Sequence, residues 1–321
     1  MLEVTILTKK YETADIVSFE LGKADGSALP AFEAGSHIDV KVNENLLRQY
    51  SLCNSPKRHQ TYKIAVLKDA NSRGGSLTVH KTFEIGDSIQ ISPPRNLFPL
   101  NKDSQRTLLF AGGIGITPLL SMAQVLNELG KEFELHYFAR SKTSTAFYEE
   151  LNSLPFASKI FFHFDDENDK KDSAIRHALD QENPLNKTAH LYTCGPNGFM
   201  DYIFTTARSL GWKNDNLHKE VFNAESIVLD DSDKSFTLNL VRSGISLEIP
   251  ADKTVLEVLE DADIEIDASC EQGVCGTCLT KVVKGVPDHR DQFLTECEKS
   301  LNNQFTPCCS RALTDSLSID L

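Results

Sequence analysis

The 321-residue chain reads as a multidomain protein: an antiparallel β-barrel, then an α/β unit built on a parallel sheet, then a small domain set around clustered cysteines. Three observations predict this. The first hundred residues carry short apolar or alternating runs broken by turn signals. Residues from about 104 to 222 alternate buried strand runs with helical stretches. Near the C-terminus, three cysteines crowd a single loop. The domains are expected at 1–101, 102–222 and 235–321, with 223–234 as a linker.

The elements follow in order. VTILTKKYE, DIVSFELG, HIDVKV, YKIAVL and DSIQIS are strand-like runs, separated by signals such as Lys23-Ala24-Asp25-Gly26 and Gly86-Asp87. Short strands at this spacing suit an antiparallel barrel. TLLFAG, FELHYFAR, KIFFHF and AHLYTCG then alternate with helical segments, as βαβ units do. The stretch from 223 is polar and acidic, a linker composition. Beyond it FTLNLVRSG and ISLEIP form a hairpin, TVLEVLE a short helix, and LTDSLSIDL a final strand.

Composition narrows the function classes. Hydrophobic residues make up 40% and charged residues 25%, ordinary for a globular protein. A formal net charge of −13 argues against a nucleic-acid binder, which needs a basic face for phosphates. Thr107 to Gln124 is uncharged and almost long enough to span a bilayer. Its three glycines and Pro118 make it a strand, tight loop and helix start instead, so no membrane segment is expected. The N-terminus lacks a basic region followed by an apolar stretch, so no signal peptide is expected either. Eight cysteines without a secretion signal point to reduced or metal-bound thiols and a cytoplasmic protein.

Cys270-x4-Cys275-x2-Cys278, with Cys308 some thirty residues later, has the spacing of a plant-type [2Fe–2S] site. Four soft thiolates must converge on two irons. Gly273 and Gly276 let the loop ASCEQGVCGTC wrap closely and aim its N–H groups at sulfur. A structural zinc site is the alternative, but zinc ribbons favour paired CxxC units. Cys308 and Cys309 are adjacent, so only one can face the cluster. Cys308 is chosen because ferredoxin-like domains usually place the ligand first in a C-x-S-R segment, and Cys297 remains an alternative on spacing alone.

Arg48-Gln49-Tyr50-Ser51 resembles the R-x-Y-S motif of the ferredoxin–NADP reductase superfamily. An arginine can neutralise a phosphate, a tyrosine can pack on a flavin ring, and a serine hydroxyl can bond near flavin N5. Arg73-Gly74-Gly75-Ser76 precedes the helical run LTVHKTF, and such a helix start binds anions. A flexible turn is its bland alternative. In this order the two motifs resemble the FMN site of the phthalate dioxygenase reductase family. No element for an adenylate half is evident, so FMN is expected rather than FAD.

Strand TLLFA runs into Gly112-Gly113-Ile114-Gly115-Ile116-Thr117-Pro118. This is not G-x-G-x-x-G, but its glycines equally allow a pyrophosphate to approach the backbone. The superfamily resemblance makes it the pyridine-nucleotide loop, with Thr117 near the nicotinamide. Cys194-Gly195-Pro196 matches the superfamily's C-G-P motif, whose cysteine approaches the nicotinamide; a buried strand-end cysteine is the alternative. Glu220 and Phe222, in HKEVF, resemble the acid and aromatic beside nicotinamide and flavin, although Phe222 could be plain core. Arg140 stands where the adenosine ribose should lie and could accept a 2′-phosphate; the resemblance favours NADH.

The resemblance covers the whole chain and extends to the reductase components of vanillate O-demethylases. It implies a β-grasp ferredoxin domain at the C-terminus. It further implies a monomeric NADH-dependent enzyme passing electrons through FMN and the cluster to a separate Rieske-type oxygenase. Ser51, Thr117, Cys194, Glu220 and Phe222 would act at the hydride-transfer site. A reductase for carnitine or another quaternary amine, or for another aromatic-ring dioxygenase, is an alternative; a non-enzymatic electron carrier or sensor is another. Residues 235–321 contain 15 acidic and 7 basic residues, an acidic face that could steer onto a basic oxygenase or simply be solvated.

Overall fold

A computed structural model describes residues 1–44, 46–69, 74–165, 171–180, 189–222 and 233–321. The chain divides into two compact units, Met1–Glu220 and Val221–Leu321.

The first unit opens with strands β1 (Leu2–Tyr11), β2 (Ile16–Gly22), β3 (Ser36–Asn43), β4 (Leu46–Ser51), β5 (Thr61–Leu67), β6 (Ser88–Ile91) and β7 (Arg95–Asn96). They pair antiparallel along the path β4-β3-β6-β1-β2-β5, with β7 added to β3. Just past β4, the N–H of Cys53 donates to the Lys63 carbonyl in β5 (2.9 Å), tying the two ends of that path together as a barrel. Alternation sends Val4, Ile6, Val17, Phe19, Ile38, Val40, Ile64 and Val66 into one core. Helix α1 (Gly75–Thr82) contributes Val79 to that core.

The same unit continues into a parallel sheet, order β10-β9-β8-β11-β12, built from β8 (Arg106–Gly112), β9 (Glu132–Ala139), β10 (Ile160–Phe164), β11 (Ala189–Cys194) and β12 (Leu217–Glu220). Helices α2 (Ile116–Glu128), α3 (Tyr148–Ser153), α4 (Lys171–Asp180) and α5 (Asn197–Ser209) connect the strands. The uncharged run from Thr107 thus becomes β8, a tight turn and the start of α2. Among the described residues no helix is long and apolar enough to cross a membrane. Polar bonds join barrel to sheet: Lys63 to Glu150 (2.6 Å), Ser55 to Glu128 (2.7 Å), and Gln124 to the Cys53 carbonyl (3.1 Å).

The second unit carries β13 (Phe236–Leu240), β14 (Ile245–Ile249), β15 (Thr280–Lys284), β17 (Gln304–Phe305) and β19 (Ser316–Ile319) in the order β14-β13-β19-β15-β17. β13 and β14 form the expected hairpin, and β13 runs parallel to β19. Helix α6 (Val255–Asp261) lays Val255 and Leu259 on the sheet, giving a β-grasp. Its start is set by a capping box, Thr254 with Glu257. A short β16 (Pro287–Asp288) and β18 (Arg311–Ala312) pair at one side, and α7 (Glu296–Ser300) precedes β17. The 223–234 segment lies outside the described residues except for Asp233 and Lys234. Asp233 accepts hydrogen bonds from Arg290, and the buried Arg311 bonds the carbonyls of Lys234, Pro250 and Lys253.

Candidate functional site

Strand β4 exposes its motif on two faces. Tyr50, in register with Ile38, packs against the barrel core, and Arg48 lies on the same side. The Arg48 side chain reaches the first turn of α1: a β-carbon on Gly75 would lie 2.8 Å from its Cγ and Nε. Gly74, left-handed at φ 94°, supplies no capping side chain, and the first turn of α1 contains no acid. A helix start with no side-chain cap, beside a guanidinium, has the donor set an FMN phosphate needs. Ser76 Oγ accepts from the Asp69 N–H (3.1 Å). Arg73 lies outside the described residues. Gln49, on the opposite face of β4, gives its amide to Asp39 (3.0 Å), which also binds Arg95 (2.6 Å).

The sheet grows from β8 outward to β9 and β10, and the chain then crosses back to add β11 on the other side of β8. Such a point leaves a crevice for a dinucleotide at the strand C-termini. Two glycine-rich loops meet there. A β-carbon on Gly115 would lie 2.1 Å from the Cys194 carbonyl oxygen, and one on Gly195 would lie 2.9 Å from Gly112 Cα. Gly113 is left-handed at φ 55°. Thr117 Oγ1 donates to the Ile114 carbonyl (3.1 Å) and so tightens the turn, with Pro118 inside the first turn of α2. Pro196 leads directly into α5. Arg140 is exposed just past β9, and Phe222 is partly exposed.

The two halves meet at Glu220. Parallel register sets it beside Cys194, and Ser51 Oγ, 169 residues away in sequence, donates to its Oε2 (3.0 Å). Burial lifts the Glu220 carboxyl to about 8, with the Ser51 bond pulling the other way. Burial and the nearby Glu220 raise the Cys194 thiol well above its ordinary range. Both shifts favour the protonated, uncharged form of these two groups near neutral pH.

In the second unit the loop from Ser269 gathers four thiols. Cys270 is in hydrogen-bonding contact with Cys275 and Cys308, and Cys278 Sγ lies 3.4 Å from Cys308 Sγ. The N–H groups of Gln272 and Thr277 point at Cys270 and Cys275 sulfur, each at 3.4 Å. This crowding holds Cys270 below the usual thiol range and raises Cys275 and Cys308. The pairs Cys270–Cys275 and Cys278–Cys308 supply the two-plus-two thiol set that the two irons of a [2Fe–2S] cluster need. Cys309 Sγ lies 3.0 Å from Thr306 Oγ1 and is also in hydrogen-bonding contact with Cys308, while Cys297 is exposed. Gly273 and Gly276 are left-handed, and β-carbons there would collide with Cys309 Sγ and the Phe293 ring.

Known proteins resemble this chain in both units. Residues 238–313 match the 2Fe-2S iron-sulfur cluster binding domain, and residues 109–204 the oxidoreductase NAD-binding domain. Over its whole length the chain is 50% identical to vanillate O-demethylase oxidoreductase of Pseudomonas sp. (strain HR199 / DSM 7063), covering all of that protein. The solved structure of phthalate dioxygenase reductase, a modular structure for electron transfer from pyridine nucleotides to [2Fe–2S], is 39% identical. It matches with a TM-score of 0.76, covering 100% of this chain and 98% of that one. An intact type IV self-sufficient cytochrome P450 monooxygenase is 35% identical with a TM-score of 0.86, covering 99% of this chain and 41% of that one.

Proposed function

Because the chain belongs to the phthalate dioxygenase reductase family, we propose that it is the reductase of a two-component oxygenase, passing electrons from NADH by way of FMN and a [2Fe–2S] cluster. The observation that carries this is the joining, in one chain, of the Ser51–Glu220–Cys194 juncture with the four-thiol loop. Bound FMN supplies the exchange between electron pairs and single electrons, which no side chain offers.

The chain's own residues do the rest. Arg48 and the start of α1 bind the phosphate, with Gly74 and Gly75 leaving room for it; Arg73 joins them in this reading. Tyr50 offers a ring face to the flavin and Ser51 a hydroxyl. Gly112, Gly113, Gly115, Gly195 and Pro196 shape the pyridine-nucleotide crevice, Thr117 fixes its turn, and Arg140 stands by the adenosine end. Glu220 holds a proton at its carboxyl beside buried Cys194, and Phe222 is the aromatic that the family resemblance assigns to nicotinamide and flavin. Reacting rings held in contact and away from water gain much of their rate from position alone. Cys270, Cys275, Cys278 and Cys308 hold the cluster.

The partner in this reading is a Rieske-type oxygenase of vanillate O-demethylation, supported by the 50% identity to a vanillate O-demethylase oxidoreductase. A cytoplasmic setting is supported by eight cysteines, none of which forms a disulfide, and a monomeric enzyme is what the family resemblance implies. The test mixes the purified chain with a vanillate-type oxygenase, a phthalate-type oxygenase and a carnitine-type oxygenase, with NADH or NADPH. Vanillate turnover with NADH and none with the others is the expected outcome. Turnover only with another oxygenase would replace the substrate reading, and failure to oxidise NADH would end the reductase reading.

A further inference from the structure

A buried ionic network adjoins the four-thiol loop of the second unit. Arg311, three residues beyond Cys308, is 2% exposed, and its guanidinium donates to the carbonyls of Lys234, Pro250 and Lys253. Its Nε lies 3.5 Å from Oδ1 of Asp233, whose side chain is 4% exposed. Asp233 also accepts from both Nη groups of Arg290, with Nη1 at 3.2 Å. Arg290 Nε in turn donates to Asp288 (2.7 Å). The charges of these two arginines and two aspartates cancel.

The network touches the cluster-binding segments from two directions. The Arg290 N–H donates to Ser310 Oγ (3.2 Å), and Ser310 is two residues beyond Cys308, within about 7.6 Å of it along the chain. The Gln292 N–H donates to the Gly273 carbonyl (3.0 Å), inside the loop that carries Cys270, Cys275 and Cys278. A β-carbon on Gly273 would lie 3.0 Å from Asp291 Cα, so the Asp288–Gln292 stretch packs directly on that loop. A buried ion pair is weak evidence for stability, because desolvation offsets much of the attraction. Three neutral carbonyls already satisfy Arg311 donors, so what Asp233 adds there is chiefly its charge.

We propose that Asp233 is a positioning residue that sets the reduction potential of the cluster, by neutralising Arg290 and Arg311 beside the segments that hold it. Reduction adds one negative charge to the cluster, and net charge around a cluster is one of the protein's means of tuning it. Two uncompensated guanidiniums would favour that electron, and the carboxylate of Asp233 cancels part of their field. The inference rests on the cluster reading given above.

The test uses the full-length, cluster-loaded chain, read by spectroelectrochemical titration of the cluster, bound iron and thermal melting. Asp233→Asn removes a negative charge and should favour cluster reduction at least about threefold, a rise of about 28 mV for a one-electron couple. Arg290→Gln removes a positive charge and should lower the potential. The double variant Asp233→Asn/Arg290→Gln restores neutrality and should return toward the wild-type value, and Asp233→Glu, which keeps the charge, should stay near it. Asp233→Asn should also melt earlier, because Arg311 remains buried without its carboxylate. Unchanged potentials in both single variants, with iron fully retained, would overturn the inference. So would two shifts of the same sign, the pattern of a disturbed loop rather than an altered charge. If Asp233→Asn fails to fold, Arg290→Gln decides alone, and a potential at or above wild type would overturn the inference. A wild-type chain without a reducible cluster would instead remove the cluster reading itself.

Discussion

Replacing Glu220 with glutamine should flatten the pH dependence of stability in the Met1–Glu220 unit. Burial lifts this carboxyl from its ordinary 4.5 to about 8, while the Ser51 hydrogen bond lowers it. A carboxyl that binds its proton more tightly when folded stabilises the fold while it is protonated. That contribution is complete below about pH 4.5 and is lost as pH rises toward about 8. At about 1.4 kcal/mol per pH unit the full interval is worth at most about 5 kcal/mol. Glu220 retains partial exposure, and solvent screening brings the expectation to roughly 2–3 kcal/mol. For a unit of this size that is about 5–10 °C in Tm. Glutamine keeps an acceptor for Ser51 but cannot ionise. Thermal melts of both proteins at pH 5 and pH 8 provide the check. Wild type should lose about 5–10 °C more than Glu220→Gln over that interval. Equal pH dependence in the two proteins would refute the claim that the buried carboxyl carries a proton near neutrality.

Three other substitutions probe the remaining contacts. Gly115→Ala sets a β-carbon 2.1 Å from the Cys194 carbonyl oxygen, a backbone atom that cannot step aside. It should cost more than about 3 kcal/mol and abolish NADH binding, read by melting and by NADH titration. Gly75→Ala meets only the Arg48 side chain, at 2.8 Å, so stability should change by less than about 1 kcal/mol. Displacing that guanidinium should nevertheless weaken FMN binding at least about tenfold, measured by flavin fluorescence. Cys308→Ser should remove the cluster's visible absorbance and bound iron while NADH still bleaches the flavin. Cys309→Ser, outside the proposed ligand set, should retain both, with serine keeping the contact to Thr306.

Much of the fold was legible because periodicity survives without tertiary information. Alternation in VTILTKKYE and DIVSFELG became β1 and β2, and the strand–glycine–helix texture after Thr107 became β8 and α2. The cysteine spacing was legible because two irons impose it locally. Contacts across long separations were not written in any local pattern. The bond from Ser51 to Glu220 spans 169 residues, and only the family resemblance suggested that the two belong together. Gln49 illustrates the reverse. Its place inside R-x-Y-S suggested a flavin contact, and the structure shows its amide bound to Asp39 on the face that it shares with Ser51. Arg311 escaped notice because a charged residue next to the cysteines reads as surface, but it is 2% exposed and bonded to three backbone carbonyls.

The central claim is that electrons enter this chain in pairs from NADH and leave it through the cluster. An anaerobic titration with NADH, followed at flavin and cluster wavelengths, tests it most directly. The account predicts uptake of about three electrons per chain, about two by FMN and one by the cluster, falling to about two in Cys308→Ser. Full flavin bleaching in the wild-type chain with a cluster that stays oxidised at every NADH excess would contradict it.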